Sequence, residues 1–465
     1  MTDALKPLRG ARVVVVNWRD CGHSLAGGAE EYAVRVAEAM ARAGAWVTYL
    51  TARDEGQTSG ERTDTLTTVR RGGQWTVYLW ALLWLLRNRR RVDVVVDCQN
   101  GIPFFSPLVL ARRTRVVLLM HHVHDAQFAV HFPPWLAAIG RWLEGPAAQR
   151  VYRDAVTVAV SPSTVHAMRA RLGWTGPVYV VPNGMDQAPK ARVAREAEPT
   201  LVCLGRLVTH KRVDRLIRTV EALLDRWPTL RLHVVGGGPE EGALRALAAR
   251  LDGAVDVHGY VDGATKSALL GRSWLNVTLS DGEGWGLAVV EAAAHGVPTL
   301  CRDVDGLRDS VRHGDTGWLV PNGADLTEAV DQVLTDLADP ARAEAVAKAC
   351  QDWATRFDWA ATGERFTTLV AALRAGLKIG EWQSGMPEAI IAEFPADTEP
   401  YQPTSVGTRS GTDGIGQWAL VEQCHGGDLL AELERAGRTG VTVRAAADAE
   451  RLLGGSLRNP REGAT

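Results

Sequence analysis

The sequence is short of the features that would place it in several functional classes. Its 465 residues include six cysteines, at Cys21, Cys98, Cys203, Cys301, Cys350 and Cys424, with no Cys-x-x-Cys pair. That scatter argues against a zinc ribbon or a disulfide framework and fits reduced thiols. Charge imbalance is also lacking: 52 Lys and Arg face 54 Asp and Glu, a net of −2, which argues against wholesale nucleic-acid binding. No apolar run reaches the roughly 20 residues of a membrane-spanning helix, and the most apolar stretch, 75–86, falls well short. Residues 1–10 lack an apolar core, so no secretory signal is expected. No Gly-x-Gly-x-x-Gly follows the first candidate strand, which removes support for a dinucleotide-dependent oxidoreductase. What remains is a soluble, cytoplasmic chain long enough for two or three full cores.

Strands alternate with helices along most of it. Apolar, largely β-branched runs at 12–17, 46–51, 92–96, 115–120, 156–160 and 178–181 read as strands of a parallel sheet buried on both faces. A loop after the first strand ends in Gly27 and Gly28, which either cap the next helix or let a ligand approach the backbone. The strand at 115–120 runs into His121, His122 and His124, followed by Asp125 and Gln127. Ligands of open α/β sheets lie beyond the carboxyl ends of strands, so one of these histidines is expected to face a ligand. No helix-borne His or carboxylate completes a metal site there. The apolar segment 75–86 ends in Arg87, Arg89, Arg90 and Arg91. It reads first as a core-facing helix with a basic C-terminus, and second, with Arg112, Arg113 and Arg115, as a membrane-surface contact. Residues 187–200 are polar, carry two prolines and read as an interdomain linker.

A second alternation follows, with strands expected at 201–204, 230–235, 255–259, 274–279, 298–301 and 317–320. The first ends in a basic turn through Gly205, Arg206 and Lys211, the second in Gly236, Gly237, Gly238 and Pro239. Arg206 and Lys211 can reach one diphosphate, Arg as a bidentate fork and Lys as a point charge. The richest stretch is 280–298. There Gly282, Gly284 and Gly286 separate a strand from a helix expected at 287–294, and Glu283 and Glu291 flank the turn. Strand, glycine turn and helix N-terminus together present backbone N–H groups to an anion. If mostly helical, the interval puts the two carboxylates roughly 12 Å apart, a span suited to a ligand with hydroxyls at both ends and a charged middle. Residues 353–377 read as terminal helices. Residues 380–416, with prolines, glycines and clustered acids, read as a flexible linker. Beyond it, strands at 418–423 and 441–444 and helices at 428–436 and 446–453 suggest a small appendix with no assignable chemistry.

In this order the motifs resemble the retaining, nucleotide-sugar-dependent glycosyltransferases of family four, over residues 11–377. Glu283, seven residues and Glu291 look like the family's glutamate pair. Gly205, Arg206 and Lys211 look like its phosphate site. Pro182-Asn183-Gly184, Gly236 to Pro239, Gly317, the glycines at 27 and 28, and His121 also fall in place. The cluster of three histidines leaves open which one faces the active site, and the stretch after 380 lies outside the family pattern. The resemblance implies the GT-B fold, an α/β architecture of two Rossmann-like domains facing across a cleft, with a small C-terminal α/β or partly disordered appendix. The expected divisions are an acceptor domain at 1–186 completed by a helix at 358–377, a linker at 187–200, a nucleotide-sugar domain at 201–357, and an extension at 380–465.

The resemblance also implies roles. Glu291 would bind the ribose hydroxyls. Glu283, with Gly284 and the backbone of Trp285, Gly286 and Leu287, would hold the donor sugar. Gly205, Arg206, Lys211 and Gly236 would bind the diphosphate, with Gly27 and Gly28 approaching from the other domain. His121, Arg206, Lys211 and Glu283 form the expected catalytic set. Retention would follow from same-face attack with no protein nucleophile. Neither a cofactor nor a metal is expected. The partners would be a nucleotide-diphosphate sugar and an unidentified glycan, lipid or small-molecule acceptor, and no nucleic acid. The setting would be cytoplasmic, with peripheral contact at the inner face of the membrane through the arginine clusters. A nucleotide-sugar epimerase or hydrolase, and a non-catalytic nucleotide-sugar binding protein, stay open as alternatives.

Overall fold

The computed structural model describes residues 8–63, 66–125, 127–128, 132–175, 178–186, 193–375, 389–395, 408–412, 416–422 and 442–444. The chain divides into two compact units, Met1–Pro182 with Thr362–Thr465, and Asn183–Ala361.

The first unit is built on an eight-stranded sheet: β1 (Arg12–Val16), β2 (Trp46–Thr51), β3 (Gly60–Arg62), β4 (Leu66–Arg70), β5 (Val94–Asn100), β6 (Arg115–His122), β7 (Val156–Ala159) and β8 (Val178–Val180). Their order is β3-β4-β2-β1-β5-β6-β7-β8, and every pair is parallel except β3 with β4. The β-branched runs form the central strands because helices cover both faces: Val13 to Val16 and Val94 to Val96 are all buried. The order of strands turns between β1 and β5, which makes the loops after these two strands the natural ligand position. Helix Gly28–Arg42 packs Tyr32, Ala33, Val36, Ala37 and Met40 inward. Helix Trp359–Ala375 brings Phe366 against Tyr32, and Thr362 Oγ1 donates to the carbonyl of Pro182 at 2.9 Å. Gly363 admits this close approach, since a Cβ there would lie 2.7 Å from the Ala39 methyl.

The second unit holds β9 (Thr200–Leu204), β10 (Arg231–Val235), β11 (Val255–Gly259), β12 (Leu275–Thr278), β13 (Thr299–Arg302) and β14 (Gly317–Val320). All pairs are parallel, in the order β11-β10-β9-β12-β13-β14. This is the doubly wound order in which the sequence reverses between the first and fourth strands, here β9 and β12. Along β9 alternate residues serve opposite layers. Leu201 and Cys203 pack with helices Val213–Leu223 and Leu326–Leu337, whereas Val202 and Leu204 pack with Leu269, Leu270 and Ala292 of helices Gly263–Arg272 and Leu287–Ala294.

The structure departs from the sequence reading in four places. The hairpin β3–β4 was not expected. The described part of the expected linker, 193–199, packs on the second unit: Arg195 stacks on Trp274, and the Trp274 indole donates to the Glu196 carbonyl at 2.8 Å. Within the expected linker 380–416 lie β15 (Ala389–Pro395) and β16 (Thr408–Thr412), which join β17 (Gly416–Glu422) and β18 (Thr442–Arg444) in an antiparallel sheet ordered β16-β17-β15-β18. The helices expected at 428–436 and 446–453 lie outside the described residues. Lastly, helix Thr76–Asn88 is core-facing on one side only. Val77, Ala81 and Leu85 are buried, while Leu79, Leu83 and Leu86 stand in solvent.

Candidate functional site

Residues of three loops meet at the carboxyl ends of β10, β9 and β12. After β9 the chain turns through Gly205 and Arg206, buries Leu207, makes a single 3₁₀ turn at Thr209–Lys211, and enters helix Val213–Leu223. The loop after β10 lies against it, backbone on backbone: Gly205 N–H donates to Val235 O at 3.0 Å and Leu207 N–H to Gly237 O at 2.9 Å. Gly236, at φ +137°, is forced by this contact, because a Cβ there would sit 1.9 Å from the Gly205 carbonyl oxygen. The helix starting at Val213 has no side-chain cap, and Arg212 before it is left-handed at φ 53°. Arg212 Nε holds Asp281 Oδ2 at 2.7 Å, and Asp281 N–H donates to His210 O at 2.9 Å, so the turn after β12 is tied to the turn after β9.

That tie brings Lys211 onto Glu283, whose ammonium and carboxylate form an ion pair with both side chains largely covered. Burial works to raise the Glu283 carboxyl, but the Lys211 charge, its hydrogen bond and that from Ser280 hold it below its ordinary value. Glu283 therefore stays ionised through neutral pH. Burial, followed by Lys211, also lowers the neighbouring His210 imidazole. Gly286, left-handed at φ 94°, starts helix Leu287–Ala294, again without a side-chain cap. Helix begins only at Leu287, so Glu283 sits in the turn itself, and the sequence-based assumption of a mostly helical interval from Glu283 to Glu291 is corrected. Glu291 lies one turn inside and meets Lys266 of the neighbouring helix at 3.0 Å. Trp285 is buried, with its ring edge-on to Phe357 at 5.0 Å. Arg206 and Gly284 are half-buried in the same loops. The structure thus brings Gly205, Arg206, Lys211, Gly236 and the 283–291 stretch together at the strand-order reversal between β9 and β12. Sequence reading missed Lys266 and His210. Only their fold neighbours reveal them, since Lys266 lies on another helix and His210 looked like part of a basic turn.

Gly27, Gly28 and His121 belong to the first unit. Gly27 caps helix Gly28–Arg42: its N–H donates to Glu30 Oε2 at 2.7 Å, and its carbonyl accepts from Glu30 N–H at 3.1 Å. Glu30 is itself paired inside the protein with Arg19, which also donates to Leu25 O at 2.6 Å. The turn is thereby held rigid by a buried pair that no motif announced. At the strand-order reversal, Asn100 Nδ2 donates to Asn17 Oδ1 at 3.2 Å, joining the ends of β1 and β5. His121 closes β6 from the buried side, edge-on to Tyr32 of the glycine-capped helix at 5.3 Å. Burial, with a smaller push from His124, lowers its imidazole to about 3, so it is neutral at working pH. His122 and His124 instead pack ring to ring at 5.0 Å, farther out. Of the three, His121 is the buried one, with its Nε2 unbonded among the described residues.

Behind His124 lies Glu144, fully buried in the π-turn Leu143–Ala147. Pro146, which has no N–H to give a regular helix, accounts for the widened turn. Glu144 Oε1 accepts from His124 N–H at 2.6 Å, and burial pushes this carboxyl up to about 8.

Two family models match consecutive stretches of the chain. Glycosyltransferase Family 4 matches residues 26–188, and Glycosyl transferases group 1 matches residues 185–352. The chain belongs to the family-four glycosyltransferases. The chain is 32% identical over 256 residues to the GDP-mannose-dependent alpha-(1-6)-phosphatidylinositol monomannoside mannosyltransferase of Mycolicibacterium smegmatis, across 49% of this chain and 65% of the relative. It is 33% identical over 201 residues to the D-inositol 3-phosphate glycosyltransferase of Kribbella flavida, across 40% of this chain and 46% of the relative. The chain spans less than two thirds of the length of these curated relatives. Its GT-B fold is shared with sucrose-phosphate synthase from Thermosynechococcus elongatus, at a TM-score of 0.65 and 20% identity over 79% of this chain and 100% of that one. WaaG, a glycosyltransferase involved in lipopolysaccharide biosynthesis, matches at a TM-score of 0.62 and 19% identity, over 78% of this chain and 100% of that one.

Proposed function

We propose that this glycosyltransferase moves a sugar, with retention of configuration, from a nucleotide-diphosphate sugar to an acceptor presented at a membrane surface. The observation that carries the donor half is the Lys211–Glu283 pair at the β9/β12 reversal, between two uncapped helix N-termini. Without a donor, cation and carboxylate satisfy each other. An entering diphosphate takes over Lys211, and Glu283 turns to the hydroxyls of the sugar. As the anomeric C–O bond breaks, charge grows on the diphosphate, where Arg206, Lys211 and the helix ends receive it; preorganised groups of this kind usually supply the largest catalytic term. The acceptor oxygen bonds to the same face of the sugar, and its proton passes to the departing diphosphate oxygen. Glu291, with Lys266 beside it, serves the ribose end. In the first unit we assign His121 to the acceptor, where a neutral imidazole acts as a hydrogen-bonding group and not as a cation. This chemistry assigns no role to a metal.

The membrane half rests on one face of the first unit. No helix among the described residues is long and apolar enough to cross a membrane. Yet Trp75 and Leu79, 61% and 64% exposed, share solvent exposure with Leu83, Leu86, Trp135, Ile139 and Trp142 on two helices. The ring contact of Trp75 with Phe132 at 6.1 Å links those helices. Along the same stretch Arg87, Arg89, Arg90, Arg91, Arg112, Arg113, Arg115 and Arg141 are exposed, whereas no carboxylate of the described residues 75–142 is exposed. Exposed apolar side chains together with exposed cations suit an anionic lipid surface. The mannosyltransferase relatives, whose names pair GDP-mannose with phosphatidylinositol acceptors, support the same reading. The test is donor turnover in the presence of anionic vesicles carrying candidate lipid acceptors, followed by anomeric analysis of the product. Transfer with retention that vanishes in folded Arg206→Ala and Glu291→Ala proteins supports the proposal. Epimerised free sugar, or tight nucleotide binding without turnover, overturns it.

A further inference from the structure

At the outer edge of the second unit's sheet, three side chains outside the donor site converge. His233 of β10 and Asp256 of β11 are register partners, and His258 lies two residues beyond Asp256. Side chains alternate across a strand, so all three project from one face. The intervening Val255 and Val257 are buried on the other face with Leu232 and Val234. His233 Nδ1 and His258 Nε2 are 3.1 Å apart, and Asp256 Oδ2 lies 3.7 Å from His233 Nδ1. The donor atoms all fall within 4.8 Å of one another. Two nitrogens bound tetrahedrally to one zinc ion stand about 3.3 Å apart, so the imidazole pair already has the spacing of a ligand pair. Asp256 is half-exposed, so its carboxylate can swing toward the imidazole pair. The local charge is mixed: Arg272 acts against a cation here, but it is partnered by Glu196 at 3.6 Å, and Asp256 adds a further negative charge.

We infer that His233, Asp256 and His258 form a binding site for a divalent ion of the zinc class, with the remaining coordination position open to water. Two imidazole nitrogens and one carboxylate are the ligand types such ions prefer. Among the described residues β11 is the edge strand of its sheet, joined only to β10. An ion bridging His233 to Asp256 and His258 therefore pins that edge, and its role is structural and independent of the sugar-transfer chemistry.

Full-length protein freed of metal by chelator dialysis, and purified without a histidine tag, is titrated with Zn²⁺ by calorimetry against a competing chelator. The expected result is a single tight equivalent that raises the melting temperature. Both the equivalent and the melting shift should be lost in His233→Gln and His258→Gln, and the affinity weakened at least about tenfold in Asp256→Asn. Circular dichroism of the metal-free variants confirms that each is folded, and any variant that is not is replaced by the alanine form at the same position. Wild-type protein that takes up no zinc at micromolar concentration overturns the inference, as do variants that retain the full equivalent.

Discussion

In the proposed donor site the central residue is Lys211, which the turn after β9 positions and Glu283 of the turn after β12 neutralises. Its replacement by alanine removes the cation from the diphosphate and leaves Glu283 covered without its partner. Turnover of the donor should fall by about 2.7–4 kcal/mol in barrier, or roughly 10²- to 10³-fold, measured with saturating nucleotide sugar. The pH behaviour follows from the sign of the Glu283 shift. A carboxyl held below its ordinary value stabilises the fold fully above the usual carboxylate range, and loses that contribution as pH falls through and below it. Glu144 runs the other way. Raised by burial to about 8, it binds a proton more strongly in the folded state, so stability declines as pH rises from the ordinary glutamate range of about 4.5 to about 8. Glu144→Gln should abolish that decline in urea midpoints taken across the range. At this scale the placement of the glutamates, Arg206 and Lys211 around glycine turns at strand ends was legible because their spacing is local. Lys266, His210, the Arg19–Glu30 pair and Glu144 were not, since each acts through a partner 11 or more residues away.

At the scale of elements, the glycine loops are held by their backbones. Gly236→Ala forces a Cβ into the Gly205 carbonyl and requires a left-handed alanine. Strain and overpacking together should cost about 2–6 kcal/mol, read as a lower denaturant midpoint, with the Gly205–Arg206 turn displaced. The two exposed apolar helix faces make a separate prediction. Exchanging Leu79, Trp135 and Trp142 for serine should weaken co-sedimentation with anionic vesicles at least tenfold while leaving thermal stability within about 1 kcal/mol, because these side chains bury little in the free protein. Binding unchanged in this variant and insensitive to salt would remove the membrane face. The central strands were legible as β-branched runs. The β3–β4 hairpin was not, because Thr63, Thr67 and Thr68 carry no apolar signal. Nor was β15, whose short run Ala389 to Ala392 is hidden among prolines and acids. Helix Thr76–Asn88 misled for a physical reason: it is apolar all round, and composition cannot say which side finds a core.

For the whole molecule, each unit repeats one rule: a largely parallel sheet whose strand order reverses, with polar and glycine-rich loops gathered where the reversal opens them. That rule put Asn17, Asn100 and the glycine-capped helix together in the first unit, and Lys211 and Glu283 together in the second. The alternation of strand and helix along the sequence was enough to anticipate it. The course of residues 380–416 was not, because strand pairing there joins segments far apart in the chain. The central claim is that the second unit binds a nucleotide diphosphate between Lys211 and Glu291, and the most direct measurement is a thermal-shift panel of nucleoside diphosphates and their sugars on wild type and Glu291→Ala. One nucleotide at 100 times its Kd should add about 2.7 kcal/mol and raise the melting temperature by roughly 5–10 °C, and the shift should disappear in Glu291→Ala. A panel in which no nucleotide moves the wild-type transition, or in which Glu291→Ala responds as wild type does, would contradict the account.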